Sequence, residues 1–309
     1  MEELVLKTNN LTKNFGNVCS VNNLNMTIKK GDIYGFIGKN GSGKTTTLRL
    51  ITSLIFPSSG EVMIFGENIE KSDMLTKSRI GAVIENPVFY PNLSAKENLE
   101  FYRIQKGIVD KNIINEVLEK VNLDDTGKKK FKNFSLGMKQ RLGIALAIMN
   151  NPDFLILDEP LNGLDPMGIA ELREMIKKLN EEQNITIILS SHILSELAQV
   201  ATKFRFIDNG CLLKEITIDE LNDECNKSIS IVVDNVEKAI VIIEENLNTN
   251  NFTVINDREI RLYDYLDNPS EVSFQLNSNG VRVNSIKEVG LNLEDYFISL
   301  IADEKRGDI

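Results

Sequence analysis

The sequence contains no tryptophan, one histidine and three cysteines, and no apolar run longer than a strand. Each shortage closes off a class of function. The only histidine, His192, has no second histidine to share a metal with, and Cys19, Cys211 and Cys225 lie far apart without C-x-x-C spacing. Neither a zinc site nor a disulfide framework is expected, which fits a reducing compartment. The longest apolar stretches, such as residues 185–189, fall far short of the roughly 20 residues a spanning helix needs. The N-terminus, Met1-Glu-Glu-Leu-Val, lacks the basic and hydrophobic segments of a signal peptide. The chain is therefore expected to be soluble on its own and to reach a membrane only through partners. Basic residues are also in deficit, 35 against 45 acidic, for a formal charge of −10. A broad nucleic-acid surface needs a basic face, so no nucleic-acid partner is expected.

At 309 residues the chain exceeds the usual single-domain size, and two domains are expected. Residues 3–8, 18–28, 32–37 and 61–65 read as strands, with turns at Gly31-Asp32 and Gly60. Residues 44–56 read as a helix with Leu48, Ile51, Leu54 and Ile55 on one face, ended by Pro57. Residues 80–85 form another short strand. From about 87 to 134 the pattern is helical: Ser94 caps one helix with Glu97 at the capping-box position, and a second covers roughly 110–121. Buried-strand signals return at 154–157 and 185–189, separated by an amphipathic helix near 167–180. This alternation implies an α/β fold with a mostly parallel sheet. After about Cys211 the character changes. Residues 228–304 read as a small α+β module of the split βαβ kind, with no catalytic cluster, and the boundary falls near 215–227.

Gly38-Lys-Asn-Gly-Ser-Gly-Lys-Thr45 matches G-x-x-x-x-G-K-[ST] between a strand and a helix. Its glycines let successive backbone N–H groups turn inward as a nest for phosphate oxygens at a helix N-terminus. Lys44 supplies a compact positive charge to the β- and γ-phosphates, and Thr45 offers a hydroxyl to Mg²⁺. No guanine-reading motif is visible, so ATP is the expected nucleotide. Downstream, Ser135-Leu-Gly-Met-Lys-Gln-Arg141 opens an apolar helical run. Phe154-Leu-Ile-Leu-Asp-Glu-Pro160 then places Asp158 at the end of an all-apolar strand, beside the phosphate loop. His192 ends another strand, at the edge where α/β sites gather.

This ordered set of motifs resembles the ABC-type ATPases over about residues 3–215. The resemblance implies a P-loop NTPase cassette at 1–215: a mixed, mainly parallel core sheet, an antiparallel β subdomain and a helical subdomain at about 87–140. The small α+β domain would occupy 216–309. It further implies that residues 38–46 (Gly38, Lys39, Asn40, Gly41, Ser42, Gly43, Lys44, Thr45 and Thr46) bind ATP. Asp158 would hold Mg²⁺ through water, Glu159 would polarise the attacking water, and His192 would be the switch that contacts the γ-phosphate. Asn162-Gly-Leu-Asp165 resembles the family's D-loop. Phe15, in Lys13-Asn-Phe-Gly16, resembles the aromatic that stacks on adenine, with core packing as the competing role. Ser135 and Gly137 would face the γ-phosphate of a second, head-to-tail copy.

The chain departs from the commonest pattern at several positions. Leu136 replaces a glycine and Met138 a glutamine in the signature, and Glu85 stands where the family has a glutamine. A carboxylate there can still ligate Mg²⁺ and accept from water, which makes Glu85 a candidate for both roles. Glu85 together with Ser-Leu-Gly-Met resembles the ATPases of bacitracin and lantibiotic self-protection exporters, whose C-terminal extension is of about this length. The implied function is the ATP-hydrolysing subunit of an exporter, at the inner face of the cell membrane, with permeases on separate chains. The alternatives are an exporter of another drug, a lipid or an ion, or a soluble ABC protein of translation or repair.

Overall fold

The computed structural model describes residues 3–85, 88–225, 227–290 and 292–306. Asn86 and Pro87, within the stretch that carries Glu85, lie outside the described residues. The chain divides into two compact units, one built on residues 3–218 and the other on Asp219–Ala302.

The first unit begins with β1 (Leu4–Phe15), β2 (Val18–Lys29), β3 (Ile33–Ile37), α1 (Lys44–Ile51), β4 (Ser59–Ile64) and β5 (Glu67–Asn68). There follow α2 (Met74–Ser78), β6 (Ile80–Val83), α3 (Ala95–Gln105), α4 (Ile113–Lys120) and α5 (Leu136–Ile148). It ends with β7 (Phe154–Leu157), α6 (Pro166–Gln183), β8 (Thr186–Ser191), α7 (Leu194–Leu197), β9 (Lys203–Asp208) and β10 (Cys211–Thr217). A six-stranded sheet runs β10-β9-β3-β8-β7-β6, parallel from β9 to β6 with β10 antiparallel at its edge. A smaller sheet, β2-β1-β4-β5, is antiparallel throughout.

Every residue of β3, β7 and β8 is buried, as expected of parallel strands covered on both faces. Tyr34, Phe36 and Phe154 are fully enclosed, and burial of each such side chain contributes roughly 1.5–3 kcal/mol. Because β3, β8 and β7 are neighbours and parallel, the loops that follow them emerge side by side at one edge of the sheet. That edge is where the phosphate loop, His192 and the Asp158-Glu159 pair meet.

Two elements differ most from their sequence reading, and the strand read over 80–85 also ends early, at Val83. β1 continues beyond residue 8 to Phe15, and its pairing with β2 shifts register between Thr8 and Leu11 and again between Leu11 and Lys13. These bulges break the two-residue alternation that the sequence reading relied on. Helix α1 stops at Ile51 instead of running to 56. Ser53 takes a left-handed φ of 58° and donates to Leu50 O at 3.1 Å, while Leu54 N donates to Arg49 O at 2.9 Å. This is a Schellman ending with serine in the usual glycine position, and it leaves Leu54 and Phe56 exposed.

The capping box at α3 forms as expected. Ser94 Oγ accepts from Glu97 N at 3.3 Å, and Glu97 Oε2 accepts from Ser94 N at 2.6 Å. The bond from the Ser94 backbone, with help from the Ser94 side chain and Lys130, lowers the Glu97 carboxyl to about 2. A depressed carboxyl adds stability above its unfolded value and loses it as pH falls towards the folded one. The destabilisation caused by Glu97→Gln, read from urea midpoints, is therefore expected to be full at pH 6 and to shrink as pH falls from about 4.5 to 2. Ser94→Ala is expected to cost about 1 kcal/mol at pH 6.

The second unit contains α8 (Ile218–Cys225), β11 (Ser228–Val233), α9 (Val236–Asn246), β12 (Phe252–Asn256), β13 (Glu259–Leu262), α10 (Pro269–Ser278), β14 (Val283–Val289) and α11 (Leu293–Arg306). Its antiparallel order, β12-β13-β11-β14, is the split βαβ arrangement of ferredoxin-like modules. Ile229, Ile231 and Val233 from β11 pack with Ile260, Leu262, Ala239, Ile243 and Leu276 as its core. Among the described residues, no helix is long and apolar enough to cross a membrane.

Candidate active site at the carboxyl ends of β3, β7 and β8

The phosphate loop leaves β3 at Gly38, whose N–H donates to Ser191 O at 3.3 Å and so ties the loop to β8. Gly43, the N-cap of α1, has φ of 108°, and a Cβ there would lie 2.5 Å from the Ser20 carbonyl oxygen. Only glycine meets both demands. Lys39, Asn40 and Gly41 are exposed, Ser42 and Lys44 are buried, and Thr45 and Thr46 are half-buried in the first turn of α1. Lys44 Nζ donates to Gly38 O at 2.6 Å and to Lys39 O at 3.2 Å, folding back beneath its own loop. Ser42 Oγ is buried without a hydrogen-bond partner. An orphaned hydroxyl is costly, and a phosphate oxygen would supply what it lacks. The loop thus fits a polyphosphate.

Asp158 and Glu159 follow β7 directly. Asp158 Oδ2 accepts from Thr45 Oγ1 at 2.8 Å and its Oδ1 accepts from Ser190 Oγ at 2.6 Å. Glu159 sits between an ammonium and an imidazole: Oε1 lies 3.2 Å from Lys44 Nζ, and Oε2 lies 2.9 Å from His192 Nδ1. Its backbone takes φ of 48°, a left-handed conformation that a glutamate rarely adopts. Ser190 Oγ accepts from Glu159 N at 2.9 Å. Beyond His192, burial pushes the Glu196 carboxyl above its ordinary value, while the neighbouring His192 pulls it back. The sequence therefore brings Lys44, Thr45, Asp158, Glu159 and His192 into one hydrogen-bonded group. Ammonium, hydroxyl, carboxylate and imidazole groups meet within one contact network, an arrangement suited to phosphoryl transfer to water.

Comparison with known proteins leads to the same chemistry. The family model for the ABC transporter matches residues 21–162. The bacitracin transport ATP-binding protein BcrA of Bacillus licheniformis is 46% identical over 297 residues, covering 96% of this chain and 97% of that protein. The chain belongs to the ABC transporter ATP-binding family. The lantibiotic transport ATP-binding protein SrtF of Streptococcus pyogenes is 44% identical over 215 residues, 70% of this chain and 92% of its own. Among solved structures, the dimeric post-hydrolysis state of the cassette MJ0796 bound to ADP and Pi superposes with a TM-score of 0.62 at 28% identity, covering 69% of this chain and 98% of that one. The protein is an ABC ATPase that binds nucleotide.

The remaining motifs of the ABC chain occupy two adjoining surfaces. Glu85, Leu136, Gln140, Asp158, Glu159, Asn162 and Gly163 line a cavity of about 430 Å³. Glu85 also has a left-handed backbone, with φ of 63°, and its carboxylate is ion-paired with Arg49 near the end of α1. It therefore shares the cavity with Asp158 and Glu159 while its charge is held by Arg49. Ser135 caps α5, its Oγ accepting from Met138 N at 3.3 Å, and a Cβ on Gly137 would meet only Leu164 at 3.6 Å. Ser135 and Gly137 line a second cavity of about 310 Å³ with Gly163, Asp165 and Met167. The signature and the D-loop therefore form one open face. Asp165 Oδ1 accepts from Gly168 N at 3.0 Å and caps α6. Phe15 is 50% exposed at the end of β1, with Lys13 Nζ 5.1 Å from its ring centre, so it is not a core residue.

Two participants were missed in the sequence. Ser190 was legible as part of a polar pair, Ser190-Ser191, ending an otherwise apolar buried strand. Arg49 offered no signal, because its partner Glu85 lies 36 positions away.

Proposed function

We propose that this chain is the ATP-hydrolysing subunit of an exporter of antimicrobial peptides such as bacitracin or lantibiotics, coupled to permeases on separate chains. One observation carries the cargo assignment. The likeness to the bacitracin transport subunit extends over 297 of the 309 residues, so it cannot stop at the ATPase unit and omit the C-terminal one. In this reading residues 1–215 form the ATP-binding domain and 216–309 an accessory domain that regulates the ATPase or helps it dimerise. The chain works at the cytoplasmic face of the cell membrane, held there by the permeases.

The chemistry follows from the contacts described above. ATP would place its phosphates in the nest of residues 38–46 and its adenine against the exposed ring of Phe15. Lys44, whose ammonium is shared between two loop carbonyls and Glu159, would turn to the β- and γ-phosphates. Glu159, released from that pair, would accept a proton from the attacking water, and His192 would hold the γ-phosphate end of the site. Thr45 and Asp158 present adjacent oxygen donors of the type Mg²⁺ takes alongside substrate phosphates, with Glu85 on the rim of the same cavity. Mg²⁺ would supply charge neutralisation on the phosphate oxygens. A second copy, head to tail, would contribute Ser135 and Gly137, whose helix N-terminus favours negative charge. Closure would move the helical subdomain and pull on the permease.

The test compares bacitracin and lantibiotic resistance of cells carrying the intact subunit with that of cells carrying Glu159→Gln. Resistance is expected only with the intact chain. Equal resistance in both removes the cargo assignment. Recovery of the chain with ribosomes, in place of membrane proteins, from detergent-solubilised membranes removes the exporter itself.

A further inference from the structure

Ser190 is a buried polar side chain beside Asp158 and Glu159 that has been given no part in the chemistry so far. It is 0% exposed, in a strand whose other central residues are Ile187, Ile188 and Leu189. Leu157 of β7 pairs with Leu189 of β8, so the next residue of each strand, Asp158 and Ser190, are neighbours across the sheet. The Ser190 hydroxyl makes two bonds there. It donates to Asp158 Oδ1 at 2.6 Å and accepts from the Glu159 backbone N–H at 2.9 Å. One oxygen thus joins the carboxylate on the metal side of the site to the backbone of the carboxylate on the water side.

The second bond matters because Glu159 is strained. A left-handed φ on a non-glycine residue is strained and persists only where the surroundings over-determine it. The determinants at Glu159 are its side-chain contacts with Lys44 and His192, the bond from Asn162 N to Glu159 O at 3.2 Å, and the bond to Ser190. The side-chain contacts involve the group that must be free to act on water. The Ser190 bond involves only backbone, so it persists when Lys44 turns to phosphate.

We propose that Ser190 is a positioning residue for ATP hydrolysis, its hydroxyl holding the Glu159 backbone, and hence its carboxylate, in register with Asp158. The inference rests on the reading of Glu159 as the group that polarises water. Ser190 is fully buried and both bonds of its hydroxyl go to protein groups, so its removal should spare binding and slow turnover.

The experiment uses the full chain at saturating Mg²⁺, with Ser190→Ala, Glu159→Gln and the double variant. Steady-state hydrolysis and binding of a fluorescent ATP analogue are both measured. Ser190→Ala is expected to lower kcat by about 10- to 100-fold, with KM and analogue affinity within about threefold of the parent. In the double variant, residual turnover should match that of Glu159→Gln alone, because a residue acting through Glu159 has nothing left to position. An unchanged kcat in Ser190→Ala overturns the proposal, as does a loss of analogue binding parallel to the loss of rate. Full additivity in the double variant overturns it too. Retained turnover in Glu159→Gln alone would instead overturn the reading on which the proposal rests, so the two failures are distinguishable.

Discussion

Replacing Glu159 with glutamine is expected to cut ATP turnover by about 10²–10⁴-fold while leaving ATP binding intact. The amide keeps the size of the side chain but cannot take a proton from water. It also removes the charge that lies 3.2 Å from Lys44 Nζ, so the lysine no longer chooses between Glu159 and phosphate. Nucleotide affinity should therefore be unchanged or tighter. A subunit that binds and cannot hydrolyse should accumulate as the closed dimer, visible by size exclusion in ATP and absent in ADP. Hydrolysis at the parental rate would refute the assignment of Glu159.

Lys44→Ala is expected to fail at the preceding step. Hydrogen bonds from a charged donor are worth roughly 1.5–3 kcal/mol each, so losing contacts to two phosphates should cost roughly 3–6 kcal/mol, a weakening of about 10²–10⁴-fold in ATP affinity. The substitution also leaves Glu159 without its cationic neighbour beside the phosphate nest, adding like-charge repulsion to the loss. Titration of the analogue should separate the variants clearly: Glu159→Gln saturates as the parent does, whereas Lys44→Ala does not saturate in the same range. An affinity for Lys44→Ala within threefold of the parent would show that the lysine serves only its own loop, through Gly38 O and Lys39 O.

Opposite charge effects at the two ends of one ion pair explain this contrast. Lys44 and Glu159 neutralise each other at 3.2 Å, and His192 closes the other side of the carboxylate at 2.9 Å. On the proposed mechanism, this arrangement would keep the Glu159 carboxylate occupied until phosphate competed for Lys44, and would couple binding to activation of the base through a single ammonium group.

The linear sequence by itself determined the nucleotide chemistry and the family. Phosphate binding depends on glycines and a lysine at fixed local spacing, and a buried parallel strand ending in Asp158-Glu159 is written as consecutive apolar residues. Helix α3 was equally legible, because a capping box needs only Ser94 and Glu97, three positions apart. Tertiary structure alone decided which groups those residues touch. The adjacency of β3, β8 and β7 brings together Lys44, Ser190 and Glu159, which lie more than a hundred positions apart in part, and no periodicity encodes that order. The pairing of Glu85 with Arg49, the register shifts that carry β1 on to Phe15, and the left-handed turn at Ser53 that ends α1 early are likewise products of packing. Short-range rules reach as far as one turn or one strand; the contacts that hold Glu159 in its strained backbone cross the sheet, and only the folded chain supplies them.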